Sequence, residues 1–267
     1  MRYKIHEAAK MLGISPQTLR FYEQYGILTH ERTGEGGYRQ YTDVSMDLLM
    51  SLRKCRNCGF TVAQTAEILR EEDGGRIGEA LEARAETLER QAEMQLRIAK
   101  SLRATAVLAR RGDEGMDRYE ERERPESFAM VVKRAGAKRP EPHAMDQVGI
   151  WAEWLPLVRW MIRYQPDDLE AGERPDLGFI VDAQNAAFLG VERLPGIERI
   201  PACPCLYTLM RWRTGTGELL DCLRRGAGEA ARRGWVLCGA PVVSTLWNAG
   251  AKEEPVSRGE FWFPIGK

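Results

Sequence analysis

The sequence predicts a multi-domain chain of α and α+β class, and three observations predict it. Two short helical stripes meet at Gly13 and lead into a glycine-rich hairpin. A proline-free stretch over 76–111 repeats apolar residues at spacings that alternate between four and three. Residues 126–267 divide into two strand–helix–strand–strand runs of matched length. The first pattern makes an N-terminal winged helix-turn-helix of residues 1–75, the second a dimer helix of 76–111, and the third a C-terminal duplicated βαββ domain of 126–267. Residues 112–125 are left as a linker.

In the first segment Ile5, Ala8, Ala9 and Leu12 recur at i, i+3, i+4 and i+7, the stripe of a helix with one buried face. Gly13 supplies its stop. Ser15 then stands at an N-cap position with Pro16 at the first helical position, a start signal for a second helix. Leu19, Tyr22 and Phe21 are its candidate core anchors. Gln17, Thr18 and Arg20 lie in the N-terminal part that a helix-turn-helix presents to the major groove. Arg pairs bidentately with guanine, Gln with adenine, and Thr meets a thymine methyl. Thr33-Gly34-Glu35-Gly36-Gly37 reads as a turn where backbone approaches another surface, and Tyr38, Arg39 and Tyr41 follow on a short strand within reach of phosphates. The predicted duplex-contacting set is therefore Gln17, Thr18, Arg20, Tyr22, Tyr38, Arg39 and Tyr41. Asp43 is expected to cap a third helix with the stripe Met46, Leu49, Met50, Leu52 and Arg53, ending at Gly59. Thr61 caps a fourth over Val62–Leu69.

Charge is consistent with such a module only locally. The chain of 267 residues has a formal net charge of zero, while residues 1–70 hold ten Lys/Arg against seven Asp/Glu. So modest a surplus calls for a dimer to reach useful affinity, since each neutralised phosphate adds its own increment. No run of eighteen apolar residues and no signal pattern appears, so a cytoplasmic protein away from membranes is expected. Six cysteines in that compartment are expected to be reduced. Cys55-Arg56-Asn57-Cys58 is a lone CxxC, and Cys203-Pro204-Cys205 alternates as a strand would, with both thiols on one face. Both read as ordinary thiols, with redox or metal sensing as the open alternative. His6, His30 and His143 make no ligand pattern; neither a metal nor a cofactor is expected.

Positions 81, 85, 88, 92, 95, 99, 102, 106 and 109 are Leu, Ala, Leu, Ala, Gln, Ala, Leu, Ala and Ala, a coiled-coil seam interrupted only by Gln95. Gly112 and Gly115 end the helix, and charged Asp117–Arg124 reads as linker.

The C-terminal runs are Ser127–Arg134, a helix over Met145–Arg163, Leu177–Asp182 and Phe188–Glu192, then Cys205–Arg213, a helix over Gly217–Arg233, Ala240–Trp247 and Glu260–Ile265. The helical stripes are Trp151, Leu155, Val158 and Ile162 in the first copy, and Leu219, Leu223 and Ala227 in the second. In the last strand, alternation puts Glu260 and Trp262 on one face and Phe261, Phe263 and Ile265 on the other. A carboxylate on an aromatic face is costly unless it meets a cation or hydrogen-bond donors, so Glu260 is the candidate ligand contact. Trp262, Tyr207, Trp151, Trp154, Tyr164, Trp212 and Trp247 are the pool for the walls, suited to flat, lipophilic, cationic guests.

Residues 4–70 resemble the DNA-binding domain of the MerR family of transcriptional regulators. Thr18-Leu19-Arg20-Phe21-Tyr22-Glu23, Gly26-Ile27-Leu28, Gly37-Tyr38-Arg39-Gln40-Tyr41 and Cys58-Gly59-Phe60-Thr61 carry the likeness. The chain departs from the usual pattern at Cys55 and Cys58, where leucine-like residues are commoner. The C-terminal arrangement resembles the GyrI-like effector-binding domain found fused to such heads, with Glu260 at the position of the glutamate in the multidrug-binding pocket. The resemblance implies an antiparallel coiled-coil homodimer bound to double-stranded promoter DNA. There a small aromatic or cationic effector would make the protein distort an over-long spacer for RNA polymerase. It also implies a non-enzyme; the alternative is a GyrI-like hydrolase of strained-ring compounds using Glu260.

Overall fold

The computed structural model describes residues 1–33, 38–110, 116–171, 174–250 and 255–267, which form two compact units, Met1–Met94 and Gln95–Lys267. In the first unit, β1 (Arg2–Lys4) leads directly into α1 (Ile5–Leu12), followed by α2 (Pro16–Gln24), β2 (Glu31–Thr33), β3 (Tyr38–Thr42), α3 (Asp43–Asn57) and α4 (Val62–Arg70). The strand β1 has no counterpart in the sequence reading. It pairs with β3, giving a three-stranded sheet in the order β1-β3-β2. Of the predicted turn, residues 34–37 lie outside the described residues.

Local signals decide the helix ends. Gly13 adopts a left-handed φ of 63°, which a glycine takes without strain, and its N–H bonds the Ala9 and Lys10 carbonyls. The Ser15 hydroxyl accepts the Thr18 N–H at 3.1 Å, with Pro16 at the first position of α2. Thr61 and Gln64 form a reciprocal capping box on α4. For α3 the cap is Thr42, one residue earlier than expected, its side chain accepting the Ser45 N–H; Asp43 sits in the first turn instead. Ala8, Ala9, Leu12, Leu19, Tyr22, Leu49 and Tyr41 fill the core. Met50 and Phe21 do not join it; they are 51% and 42% exposed.

The helix α5 (Gly74–Arg110) takes part in both units. Its start is fixed in the first unit by Arg84, whose Nε donates to the Cys58 carbonyl at 2.6 Å. No residue of α5 is buried within the single chain, and Leu81, Leu88 and Leu102 of the seam are exposed. Gly112 and Gly115, read as its terminators, lie outside the described residues.

The second unit is a nine-stranded antiparallel sheet. Its elements are β4 (Glu120–Arg124), β5 (Ser127–Lys133), α6 (Pro142–Met145), α7 (Val148–Glu153), β6 (Arg159–Arg163), α8 (Pro166–Ala171), β7 (Asp176–Asp182), α9 (Ala183–Leu189), β8 (Ile197–Ile200), β9 (Cys203–Arg213), α10 (Glu218–Arg232), β10 (Val236–Leu237), β11 (Val242–Ala249) and β12 (Val256–Gly266). The order is β4-β9-β12-β11-β6-β7-β5-β8, with β10 added on β12. The duplication is visible in that order: β9-β12-β11 is mirrored by β5-β7-β6, and the two halves join where β11 pairs with β6. On one face α10 buries Cys222, Leu223, Gly226 and Ala230 against Leu206, Met210, Phe261 and Phe263. Gly226 is required there, because a Cβ would run into the Phe263 ring.

Three elements differ from the sequence reading. The long helix expected over Met145–Arg163 stops at Glu153, since Pro156 cannot continue a helix and restricts the residue before it. Arg159–Arg163 then forms β6, so Val158 and Ile162 belong to no helical stripe. Phe188–Glu192, expected as a strand, falls in α9 and a 3-10 turn at Val191–Arg193, and the strand is Ile197–Ile200. Asp182 directs this by capping α9 through the Asn185 N–H at 3.0 Å. Charged Glu120–Arg124, read as linker, is the edge strand β4, paired with β9 from Cys203 to Tyr207. An edge position accommodates Glu120, Glu121, Arg122 and Glu123, which stay exposed, while Arg124 is buried.

Candidate nucleic-acid interface and ligand face

In the first unit Gln17 and Arg20 are exposed and Thr18 is half-buried on α2, and Tyr38 is 74% exposed on β3. These four present side chains to solvent on the recognition helix and the wing. Tyr22 and Tyr41 do not: they are 5% and 0% exposed, both packed in the core, and offer no surface to a duplex. The cause is strand and helix phase, which turns both rings inward with Leu19 and Leu49. Arg39 is half-buried and donates from Nε to Glu23 Oε2 at 3.1 Å. The Tyr41 hydroxyl donates to Glu23 Oε1 at 2.7 Å, and His30 Nδ1 lies 3.1 Å from the same oxygen. Burial, with the Glu23 carboxylate beside it, raises the Tyr41 hydroxyl well above its ordinary range.

Glu23 therefore ties the recognition helix to the wing, a role the sequence reading missed although Glu23 stood within its motif. Phe21, read as a core anchor, and Tyr25 at the C-cap of α2 are instead exposed, with ring centroids 4.8 Å apart. Their i, i+4 spacing off the core stripe was the available signal.

In the second unit, register and strand alternation assign the faces. Glu260 stands opposite Leu209 on one side and Ser244 on the other; Trp262 stands opposite Tyr207 and Val242. Through the β11–β6 pairing, Met161 joins this face, and with it Arg159. Its middle is apolar, built from Ala129, Val131, Met161, Ile200 and Val242.

Glu260, with 14% of its side chain exposed, is fully engaged. Arg159 donates to Oε2 through Nη1, the Tyr207 hydroxyl donates to Oε1 at 3.1 Å, and the Ser244 hydroxyl lies 3.4 Å from Oε2. The Tyr207 and Trp262 rings lie 4.5 Å apart, and the Arg122 guanidinium covers Tyr207 at 4.2 Å. Burial, with Glu260 beside it, raises the Tyr207 hydroxyl well above its ordinary range. The Arg159 guanidinium, 30% exposed, is the solvent-facing member of this constellation.

At the far end of β6 a second cluster forms. Arg163 donates to Asp176 at 2.7 Å and to Glu198 at 2.8 Å, and Arg134 to Glu198 at 2.6 Å.

Of the aromatic pool, only Tyr207 and Trp262 lie beside Glu260. Trp212 and Tyr164 pack in the core beneath α10, Trp212 edge-on to Phe261 at 5.5 Å. Parity explains Trp212: it lies an odd number of residues from Tyr207 on the same strand, and so faces the other way. Trp151 is fully buried and stacks with Trp154 and Phe179 at 5.8 and 5.9 Å, away from Glu260. Trp247 lies beside the Arg258 guanidinium at 5.9 Å. The residue the sequence reading missed is Arg159, because a helix over Met145–Arg163 gave it no place opposite Glu260.

Helix, turn, recognition helix and wing define the first unit as a nucleic-acid-reading head. Residues 3–72 match the family model described as the MerR HTH family regulatory protein. The HTH-type transcriptional regulator ZntR of Escherichia coli (strain K12) is 34% identical over 98 residues, 37% of this chain and 70% of that protein. An uncharacterised HTH-type transcriptional regulator of Synechocystis is 37% identical over 65 residues, 24% of this chain, which spans 47% of that relative's length. The chain belongs to the MerR family of helix-turn-helix regulatory proteins. Among solved structures, the EcmrR–DNA complex aligns over 99% of this chain and 100% of that one, at a TM-score of 0.39 and 17% identity.

Proposed function

We propose that this chain is a homodimeric, ligand-responsive transcription regulator. Its heads grip double-stranded promoter DNA, and its C-terminal sheet receives a small lipophilic effector at Glu260. The single observation that carries the ligand reading is the Glu260 carboxylate, set on an aromatic face and neutralised by the half-exposed Arg159. An external organic cation would take the place of that guanidinium, with Tyr207 and Trp262 as its aromatic walls. The dimer reading rests on α5, whose seam leucines Leu81, Leu88 and Leu102 are exposed. Each such leucine contributes about 1.5–3 kcal/mol when fully buried. Effector binding would bias the duplex between two shapes whose deformation costs differ, aligning promoter elements for RNA polymerase.

The protein is proposed to act without catalysis. That reading rests on the family of helix-turn-helix regulatory proteins to which the chain belongs. The test is footprinting on duplexes selected from a random pool. The reading expects a pseudopalindromic footprint whose distortion changes with tetraphenylphosphonium; a monomeric protein without sequence preference would overturn it.

A further inference from the structure

Cys203 and Cys205 leave their neighbours unexplained. Their sulfurs lie 3.6 Å apart on β9, and by register they occupy the same face as Tyr207, Trp262 and Glu260. Cys205 is fully buried and Cys203 half-buried, so one sulfur is reachable and the other is sheltered behind it. Opposite Cys203 on β4 stands Arg124, a guanidinium only 6% exposed. Its only hydrogen bond among the described residues is to the Pro201 carbonyl at 3.3 Å, no carboxylate pairs with it, and its Nε has no partner. A buried cation in that condition is costly unless an anion forms near it.

We propose that Cys203, Cys205 and Arg124 form a peroxide-sensitive dithiol site, in which the pair closes to an intramolecular disulfide beside the buried Arg124 guanidinium. The Cys203 thiolate attacks one peroxide oxygen, forming an S–O bond as the O–O bond breaks and releasing hydroxide. The Cys205 sulfur then displaces the sulfenic hydroxyl as water. Two thiols lose two electrons and two protons in total, and one hydrogen peroxide becomes two waters.

The sulfurs already lie 3.6 Å apart. Two residues apart on one face of a strand, the Cα and Cβ atoms are each roughly 6.6 Å apart, so closure requires the backbone at Cys203, the first residue of the strand, to leave its extended conformation and bring the Cβ atoms to about 4 Å. Burial pushes the Cys205 thiol well up, against the pull of Arg124, which suits a resolving thiol that stays protonated until attack. Among the described residues no group of three His, Cys, Asp or Glu is placed to hold a metal ion, and Cys238 is the further thiol near Cys205.

The test treats the full-length protein with hydrogen peroxide, alkylates the remaining thiols and maps the peptides by mass. The expected result is loss of two thiols, a link between Cys203 and Cys205, and full reversal by dithiothreitol. Cys203→Ser and Cys205→Ser each abolish the link, while Cys238→Ser leaves it. Arg124→Met slows closure about tenfold, by removing the cation that offsets the charge on the reacting sulfurs, and Arg124→Lys restores most of the rate. Links to Cys238, Cys55 or Cys58 instead, sulfinic acid at Cys203 without a link, or a rate indifferent to Arg124→Met in a folded variant would overturn the proposal.

Discussion

Two carboxylates, Glu23 in the head and Glu260 in the C-terminal sheet, are held by nearly the same chemistry. Each receives a tyrosine hydroxyl and an arginine guanidinium, and each is largely withdrawn from water, with 11% and 14% of the side chain exposed. Their surroundings differ. Around Glu23 the two donors come from β3, and His30 Nδ1 from the segment before β2 lies against the same carboxylate, so the cluster welds a helix to a wing. Around Glu260 the donors come from β6, β9 and β11, and Trp262 stands beside them. The lesson is that residue types alone do not separate a structural tie from a ligand seat; the elements that supply the donors do.

Breaking the Glu23 side should have the largest effect. Glu23→Gln leaves Arg39 without its counter-ion and weakens the Tyr41 bond, a loss of about 1–3 kcal/mol. Duplex affinity should fall at least about tenfold, because the wing no longer holds its angle to the recognition helix. Electrophoretic mobility shift of this variant, with circular dichroism as the fold control, checks it. An unchanged affinity would mean that the wing is positioned by other contacts.

The far cluster on the ligand face sharpens the comparison through pH. Burial alone would raise the Glu198 carboxyl, but hydrogen bonds from Arg134 and Arg163 outweigh it and hold it below the usual carboxylate range. A depressed folded value contributes stability that is complete above the unfolded pKa, about 4.3, and is lost as pH falls through the folded value. The thermal stability of the C-terminal unit should therefore fall below about pH 4, and Glu198→Gln should flatten that dependence. The smallest effect belongs to Tyr207→Phe, which removes one hydrogen bond from Glu260 at a cost of about 1 kcal/mol. Differential scanning calorimetry resolves that loss, and a larger one would place Tyr207 nearer to the Glu23 kind of tie.

The head was legible in the sequence because its signals are local. Gly13, Ser15-Pro16 and Thr61 act within one helical turn, and the Ile5-to-Leu12 stripe declares its own period. The exceptions were Tyr41, where a polar tip suggested surface and tertiary packing turned the ring inward, Tyr22, which fits its reading as a core anchor and not as a duplex contact, and Phe21 and Met50, read as core but exposed. In the C-terminal domain the duplication was legible from matched lengths, and the face of Glu260 from alternation in β12. Arg159 was not, since its place depends on Pro156 ending a helix and on β6 pairing with β11, a contact between distant segments. The same holds for β4, whose charged pattern resembles a linker until β9 offers it an edge. Local pattern gave the strands of the ligand face; non-local pairing decided which charge neutralises which.

The central claim is that Arg159 occupies, from within, the place an organic cation takes at Glu260. Its most direct test is a tryptophan-fluorescence titration with tetraphenylphosphonium, and with neutral triphenylphosphine oxide as control, on the native protein, Arg159→Ala and Glu260→Gln. The account predicts that Arg159→Ala tightens cation binding about tenfold, that Glu260→Gln weakens it about tenfold, and that the neutral compound distinguishes the three proteins far less. Equal cation affinity in all three proteins would contradict it.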